Sequence, residues 1–434
     1  MENLIFKTST KKTKIVTYTN KSIERIPQLK HLNRSTVNGL LQAAKVFPFK
    51  VNNYVLENLI DWSTAPDDEI YRLLFPHPEM LTEDAMQRVK SLDSIKDTQT
   101  YRDEIIAIRD GMNPHPDGQQ MNRPNHAQDL LDGIQHKYSE TVLFFPKQGQ
   151  TCHSYCTFCF RWPQFVETSA HRFEARETNM LGRYLEANPQ ISDILITGGD
   201  PLVMNTRRLR NILTTFLSPS LGHIRNIRLG TKSLTYWPYR FISEEDSRDL
   251  LTLFEDLSIQ GKHVAIMSHV NHWREMQPKP FKEAVRLILN TGATIRSQAP
   301  VLRHVNDDPK IWKRLWEDQV SLGIVPYYMF VERDTGAQHY FSLPLLHTHH
   351  IYKEAIKSVS GLARTARGPV MSASPGKVQI LGQVKIGHEM AIALTMLQGR
   401  NSNWVHTPFL AKHSTTATWL DDLEPFQGTE FPFK

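Results

Sequence analysis

Cysteine is scarce in this chain of 434 residues. There are three, and all lie in Thr151-Cys152-His153-Ser154-Tyr155-Cys156-Thr157-Phe158-Cys159. No fourth cysteine exists to complete a four-thiolate site or an even disulfide framework. An odd count, with an N-terminus (Met1-Glu2-Asn3-Leu4-Ile5-Phe6-Lys7) that lacks the basic-then-apolar order of a signal peptide, argues against a secreted, disulfide-built protein. A run of about 18 apolar residues is also missing, so no membrane span is expected. Net charge is modest, +6. The one compact basic run, Lys11-Lys12-Thr13-Lys14, reads as a solvated tail. A nucleic-acid partner would want a concentrated basic stripe, so none is expected. Low-complexity tracts and sequence repeats are absent as well. A reduced cytoplasmic setting is the expected location.

The cysteines that are present have the spacing C-x3-C-x2-C. Three thiolates on one tight loop can hold three irons of a [4Fe–4S] cluster and leave the fourth iron open to an external ligand. Electron-transfer clusters usually have four cysteine ligands, so the missing fourth points to chemistry at the cluster. A structural zinc site with His153 as fourth ligand is the alternative, cramped inside so short a loop.

The rest of the chain divides by pattern. Residues 1–35 are polar and are expected to form a flexible tail. Residues 36–135 read as mostly helical, with Pro48, Pro66, Pro76 and Pro78 as breaks and a turn-rich loop at Asn113–Gly118. From 136 to 345, short apolar strands alternate with amphipathic helices. Six strands are expected near Thr141–Phe145, Asp193–Thr197, Ile224–Gly230, His263–Ser268, Ala293–Gln298 and Val325–Val331, with helices such as Thr206–Leu217 and Phe281–Asn290 between them. Such alternation implies a parallel sheet with helical crossovers. Six units predict an α/β fold, a partial (β/α)6 barrel with its active site at the strand C-terminal ends. Residues 346–434 form a C-terminal region.

Two further elements should meet the cysteine loop at that face. One is Thr197-Gly198-Gly199-Asp200 after the second strand, where paired glycines allow close backbone approach to a ligand. The other is Arg161, two residues past Cys159, whose planar fork suits a carboxylate.

Together, the cysteine motif with Phe158 before its last cysteine and the glycine turn about 40 residues on resemble the radical S-adenosylmethionine (SAM) superfamily. Over roughly residues 40–395 the chain resembles its lysine 2,3-aminomutase family. Phe47-Pro48-Phe49-Lys50-Val51-Asn52, Cys152–Phe165, Gly230-Thr231-Lys232, His269-Val270-Asn271-His272, Gln298-Ala299-Pro300-Val301-Leu302 and Pro326-Tyr327-Tyr328 carry the likeness. The resemblance implies a cluster on Cys152, Cys156 and Cys159, and SAM beside Phe158, Gly198, Gly199, Asp200 and Gln298. It implies a substrate carboxylate on Arg161. It also implies pyridoxal 5′-phosphate (PLP) on a lysine sixteen residues beyond Gly361, which is Lys377 in Ser374-Pro375-Gly376-Lys377. The amine and a small-residue turn would suit a Schiff base. The implied reaction moves an amino group from C2 to C3 of an amino acid, through a 5′-deoxyadenosyl radical and a PLP aldimine. An electron donor such as flavodoxin or ferredoxin would serve it, in a possible homo-oligomer. The chain departs from the family pattern in places. The arginine run after the last cysteine is reduced to Arg161-Trp162-Pro163-Gln164, and Val370 stands where an ammonium-binding aspartate would. An amino acid other than lysine is therefore the expected substrate. A PLP-independent radical SAM enzyme acting on a carboxylate, and a zinc-stabilised binding module, are the alternatives.

Overall fold

The computed structural model describes residues 13–115, 118, 120–126, 129–166, 173–175 and 178–433. Two short antiparallel pairs come first. β1 (Thr17–Thr19) pairs with β2 (Lys50–Asn52), and β3 (Asn125–His126) with β4 (Asp129–Leu130). The remaining strands form one sheet of eleven: β5 (Ile134–Tyr138), β6 (Thr141–Phe144), β7 (Asp193–Ile196), β8 (Asn226–Thr231), β9 (His263–His269), β10 (Thr294–Val301), β11 (Val325–Val331), β12 (Arg367–Ser372), β13 (Gly376–Ile386), β14 (Glu389–Gly399) and β15 (Pro408–Lys412). They lie side by side in chain order. Strands β6 to β12 are mutually parallel; β5 joins one flank and β13 to β15 the other, all antiparallel.

The six expected strands are β6 to β11. A seventh parallel strand, β12, was not anticipated. Its core Gly368-Pro369-Val370-Met371 is short and interrupted by glycine and proline, which hides a strand from a periodicity reading. Nor does the sheet stop near 345, because β12 to β15 extend it without a break. The expected tail also needs correction. From Thr17 onward the chain forms β1 and two 3-10 turns. They anchor by burying Ile23, Ile26 and Leu29, widely spaced apolar residues among polar ones. Residues 1–12, with part of the basic run, lie outside the described residues, as do 116 and 117 of the turn-rich loop.

One face of the sheet is apolar. Phe144, Ile196, Leu229, Ile266 and Ile295 stand in register on adjacent strands, and all are fully buried against the helices. The alternate positions behave differently. Leu195, Arg228, Gly230, Arg296 and Gln298 remain half-buried. Parallel strands sealed on both faces read as apolar throughout, so this second face is only partly covered. Lys137 on β5 donates to the carbonyl of Ala373, just past β12. A side chain of β5 thus reaches the loop that follows β12, although six strands stand between the two in the sheet.

Helices of the N-terminal region, Arg34–Ala43, Asn53–Asn58, Glu69–Leu74, Glu83–Ser91 and Thr98–Gly111, share a second core with residues at the strand ends. That core includes Phe158, Tyr236, Trp237, Leu302 and Phe341. The region thus caps the C-terminal edge of the sheet. Arg274, after β9, fastens the cap by donating to Asp68 at 2.6 Å and Glu69 at 2.8 Å.

The loops at this edge are held by buried polar ties. Asn306 is fully buried. Its amide donates to the carbonyls of Asn271 (2.9 Å) and Pro300 (3.1 Å) and accepts from the Leu302 N–H (2.7 Å). Asn306→Leu should leave those groups orphaned, at about 1–3 kcal/mol each. A lowered urea midpoint with an unchanged slope is the expected result. A midpoint equal to wild type would mean the amide ties nothing.

Candidate active site

The cysteine loop has almost no regular structure between Thr151 and Arg161. Its backbone is held from outside. The Tyr155 N–H donates to the carbonyl of Lys50 (2.8 Å), and the Thr157 N–H to that of Leu73 (2.9 Å). The Asn52 amide donates to the His153 carbonyl (3.3 Å), the Ser154 hydroxyl (3.1 Å) and the Tyr236 carbonyl (2.9 Å). The segment Phe47–Asn52 is thus the wall against which the cysteine loop is built.

The glycine turn lies on the other side of the same loop. The Asp200 N–H donates to the carbonyls of Gly149 (2.9 Å) and Thr151 (2.8 Å). A Cβ on Gly199 would sit 2.5 Å from the backbone of Thr151, and one on Gly198 would sit 2.1 Å from the Gln150 side chain. Gly198 also has φ +139°, which favours glycine. The paired glycines therefore admit the chain's own cysteine loop, one residue before Cys152.

Asp200, expected beside a cofactor, is already saturated by protein donors. Its carboxylate accepts from the Leu202, Lys232 and Ser233 N–H groups and from the hydroxyls of Thr231 and Ser233, all at 2.8–3.0 Å. That leaves the oxygens nothing to offer a ligand. The residue instead ties the loop after β7 to the loop after β8. Phe158, likewise expected at a cofactor, is buried with its ring centroid 5.6 Å from that of His269 and 6.3 Å from that of Phe341. Gln298 sits half-buried on the concave face, between His269 and Tyr328 on the neighbouring strands.

Burial holds the cysteine thiols high, Cys156 at about 11 with Glu275 and Asp200 adding to it, and Cys159 at about 12 with Cys156 adding to it. Cys152 is also pushed well up, by burial and then by Asp200. Each cysteine nevertheless has its own cation pulling the other way: Lys50 on Cys152, Lys232 on Cys156 and Arg161 on Cys159. One positive charge per sulfur suits an anionic metal–sulfide centre. A single zinc ion fits less well. Ligands about 2.0–2.3 Å from one ion lie within roughly 4 Å of each other. Among the described residues the one trio of ligand atoms within 4.8 Å is His115, Asp334 and Asp421, which includes no cysteine. The His153 Nδ1 is 2.9 Å from the Ser233 hydroxyl.

Arg161 is buried, with its guanidinium 4.2 Å from the Phe145 ring centroid and 5.3 Å from that of Phe160. Burial lowers its pKa to about 9, against the raising influence of Cys159.

Lys377 lies near the start of β13, paired with Ser372 at the end of β12. Its ammonium donates to Gln398 Oε1 at 2.6 Å and stands 4.8 Å from the Tyr328 ring centroid and 5.5 Å from that of Tyr138. Burial, then the charge of Arg228, brings its pKa down to about 7; Asp193 opposes the shift and Arg367 adds to it. The loop before it is clamped. Arg333 donates to the Ser372 carbonyl (2.9 Å), Lys137 to that of Ala373 and Arg400 to that of Ser374 (2.8 Å). These three cations come from β5 and from the ends of β11 and β14, and nothing in the sequence links them. A Cβ on Gly376 would sit 2.2 Å from the Gln398 carbonyl, which explains the glycine. The structure thus joins the cysteines, the glycine turn and Arg161 at the strand ends, and sets Lys377 among Gln398, Tyr138 and Tyr328.

The residues that sequence reasoning passed over are the cations Lys50, Lys232 and Lys137 and the buried Glu275. Two of them, Lys50 and Lys232, lie inside quoted segments, but a lysine in a motif gives no sign that it will be buried.

No family model matches the chain. A protein named "Putative L-lysine 2,3-aminomutase" from Aquifex aeolicus is 31% identical over 364 residues, 84% of this chain and 83% of that protein. The L-lysine 2,3-aminomutase of Escherichia coli is 26% identical over 233 residues, 54% of this chain and 64% of its own length. Among solved structures, Streptococcus suis SuiB bound to S-adenosylmethionine shows 12% identity and a TM-score of 0.36, with 62% of this chain and 56% of that one covered. Identity extending over most of both chains, as in the first of these relatives, identifies this protein as a member of the radical SAM lysine 2,3-aminomutase-like family.

Proposed function

We propose that the protein is an amino-acid 2,3-aminomutase-like isomerase that moves an amino group from C2 to C3 of a small amino-acid substrate. The single observation that carries this reading is Lys377. An amine must be neutral to act as a nucleophile, and a lysine held among Tyr138, Tyr328 and Gln398, with its pKa near 7, meets that need. The aromatic rings of Tyr138 and Tyr328 and the cations around it suit an anionic aromatic cofactor. Cys152, Cys156 and Cys159 would hold a [4Fe–4S] cluster. The Gly198-Gly199 turn and Gln298 would flank SAM, and Lys377 would take PLP. When bound, these groups supply a hydrogen-abstracting radical and an electrophilic carbonyl for the migrating nitrogen. The protein's own part is to bind and orient. Arg161, held against the Phe145 ring, would orient the substrate carboxylate. Lys377 would hold and release the amino carrier. The N-terminal cap over the strand ends would keep water from the reacting carbons. A flavodoxin- or ferredoxin-like donor would supply electrons. The decisive experiment is anaerobic reconstitution with iron, sulfide, SAM and PLP, followed by product analysis over a panel of free amino acids. A β-amino acid together with 5′-deoxyadenosine supports the reading; 5′-deoxyadenosine without amino migration, and with no PLP bound, would favour a PLP-independent radical enzyme.

Three expectations follow from the geometry. Reconstituted protein should carry about four irons, and Cys152→Ala, Cys156→Ala and Cys159→Ala should each lose the intact cluster. Gly199→Val should lose it too, because the added side chain meets the Thr151 backbone. Iron analysis and the visible spectrum check this, and normal iron in Gly199→Val would sink the docking argument.

Lys377→Ala should remove the absorbance band of covalently held PLP. In wild type the lowered pKa leaves the amine neutral above about 7, so band formation should fall as pH drops through that value. An ordinary lysine would lose it near 10.4 instead. A pH titration of the band decides between the two.

Arg161→Lys should cut turnover by about a hundredfold, since a point charge cannot reproduce the orienting fork. Iron and PLP content should stay at wild-type levels. Turnover near wild type would remove Arg161 from the carboxylate.

A further inference from the structure

Lys232 is a buried lysine with a full set of partners. Its ammonium donates to Glu275 Oε1 (2.7 Å), Asn271 Oδ1 (3.1 Å) and the His269 carbonyl (3.3 Å). Glu275 is itself completely buried and accepts from the Asn271 (2.6 Å) and His272 (3.0 Å) N–H groups. A charge pair taken so far from water is a poor source of stability in itself, so its position is the informative feature. The ammonium lies 4.2 Å from the ring centroid of Tyr236, four residues on. The Tyr236 ring is buried, and its hydroxyl is 3.7 Å from the sulfur of Cys156. The backbone keeps it there. The Tyr236 N–H donates to the Lys232 carbonyl at 2.9 Å, and its own carbonyl accepts from Asn52 at 2.9 Å. The order is therefore cation, aromatic ring, hydroxyl, sulfur.

We propose that Tyr236 is a tuning residue: its hydroxyl donates a hydrogen bond to the Cys156 sulfur, strengthened by the Lys232 cation on the ring, and so raises the reduction potential of the cluster that the three cysteines hold. This rests on the cluster reading above. A donor to a ligating sulfur draws off negative charge. Reduction adds negative charge, so the reduced form gains more from the bond, and hydrogen bonds to the sulfurs are among the levers that set a cluster's potential. A cation over the ring pulls electron density from the phenol and makes its O–H a better donor. Cys156 differs here from its two neighbours in having a side-chain hydroxyl beside it: Cys159 takes a backbone hydrogen bond and charge from Arg161, and Cys152 the charge of Lys50.

The test compares the reconstituted wild type with Tyr236→Phe, a change of one oxygen. Iron content and thermal melting of the apo-protein show that loop and fold survive. Redox titration followed by electron paramagnetic resonance should show the midpoint potential of the variant displaced to a lower value. After exchange into deuterium oxide, pulsed resonance on the reduced cluster should detect a deuteron coupling in wild type that is missing in Tyr236→Phe. A second variant, Lys232→Gln with Glu275→Gln, removes both buried charges and should shift the potential the same way by a smaller amount. An iron-loaded Tyr236→Phe with the wild-type potential and the same deuteron coupling overturns the inference while leaving the cluster reading intact. A wild-type protein that takes up no iron under reconstitution overturns both. A potential that moves in Tyr236→Phe but not in the double variant overturns the part given to Lys232.

Discussion

A loop without secondary structure has to be held still by what surrounds it, and the cysteine loop is such a loop. Between Thr151 and Arg161 its backbone groups find partners in the N-terminal cap on one side and in the glycine turn on the other. Both sides are demanding. The cap must place the Lys50 and Leu73 carbonyls within hydrogen-bond reach, and the turn must come so close that no Cβ fits at Gly199. Buried backbone polar groups left without partners are costly, so cap, loop and sheet edge must form together. Asp200 closes this arrangement by gathering donors from the loops after β7 and β8 under the cysteines.

Charge is the second constraint. Three sulfurs and a saturated carboxylate in one buried volume would repel each other without compensation. Lys50, Lys232 and Arg161 come from three separate elements and stand one beside each cysteine. Around Lys377 the balance reverses. Lys377, Lys137, Arg333 and Arg400 crowd around the Ser372–Pro375 loop with few acids among them, and burial drives two of these lysines to about 7. The cysteine end therefore sets a cation beside each sulfur, and the Lys377 end is rich in cations with few acids. One of these cations, Lys137, comes from β5 at the edge of the sheet.

Much of this was legible beforehand. The period of the apolar residues predicts β6 to β11 and their parallel order, because strands buried against helices on one face need aliphatic side chains at alternate positions. The three cysteines and two glycines read directly, since spacing on a short loop leaves few geometries open. The β12 strand escaped because Gly368 and Pro369 break its pattern. The ordered stretch from Thr17 escaped because Ile23, Ile26 and Leu29 are too sparse to signal a core until the cap exists to bury them.

Asp200 shows where sequence reasoning stops. Its type and position fit a ligand contact equally well, and only the donors brought by Thr231, Lys232 and Ser233, some thirty residues on, assign it to the protein itself. The same holds for each cation. A lysine in the sequence carries no mark of burial, and Lys232 and Lys377 acquire their character from neighbours on other strands. By itself, then, the sequence determined the residue types that can do chemistry, their local spacing and the order of the strands, all properties of short stretches of chain. Which of those residues face the cavity, which are spent on holding it together and which carry shifted protons was decided by the tertiary structure alone, because burial, electrostatic proximity and hydrogen-bond saturation arise only between segments that the fold brings together.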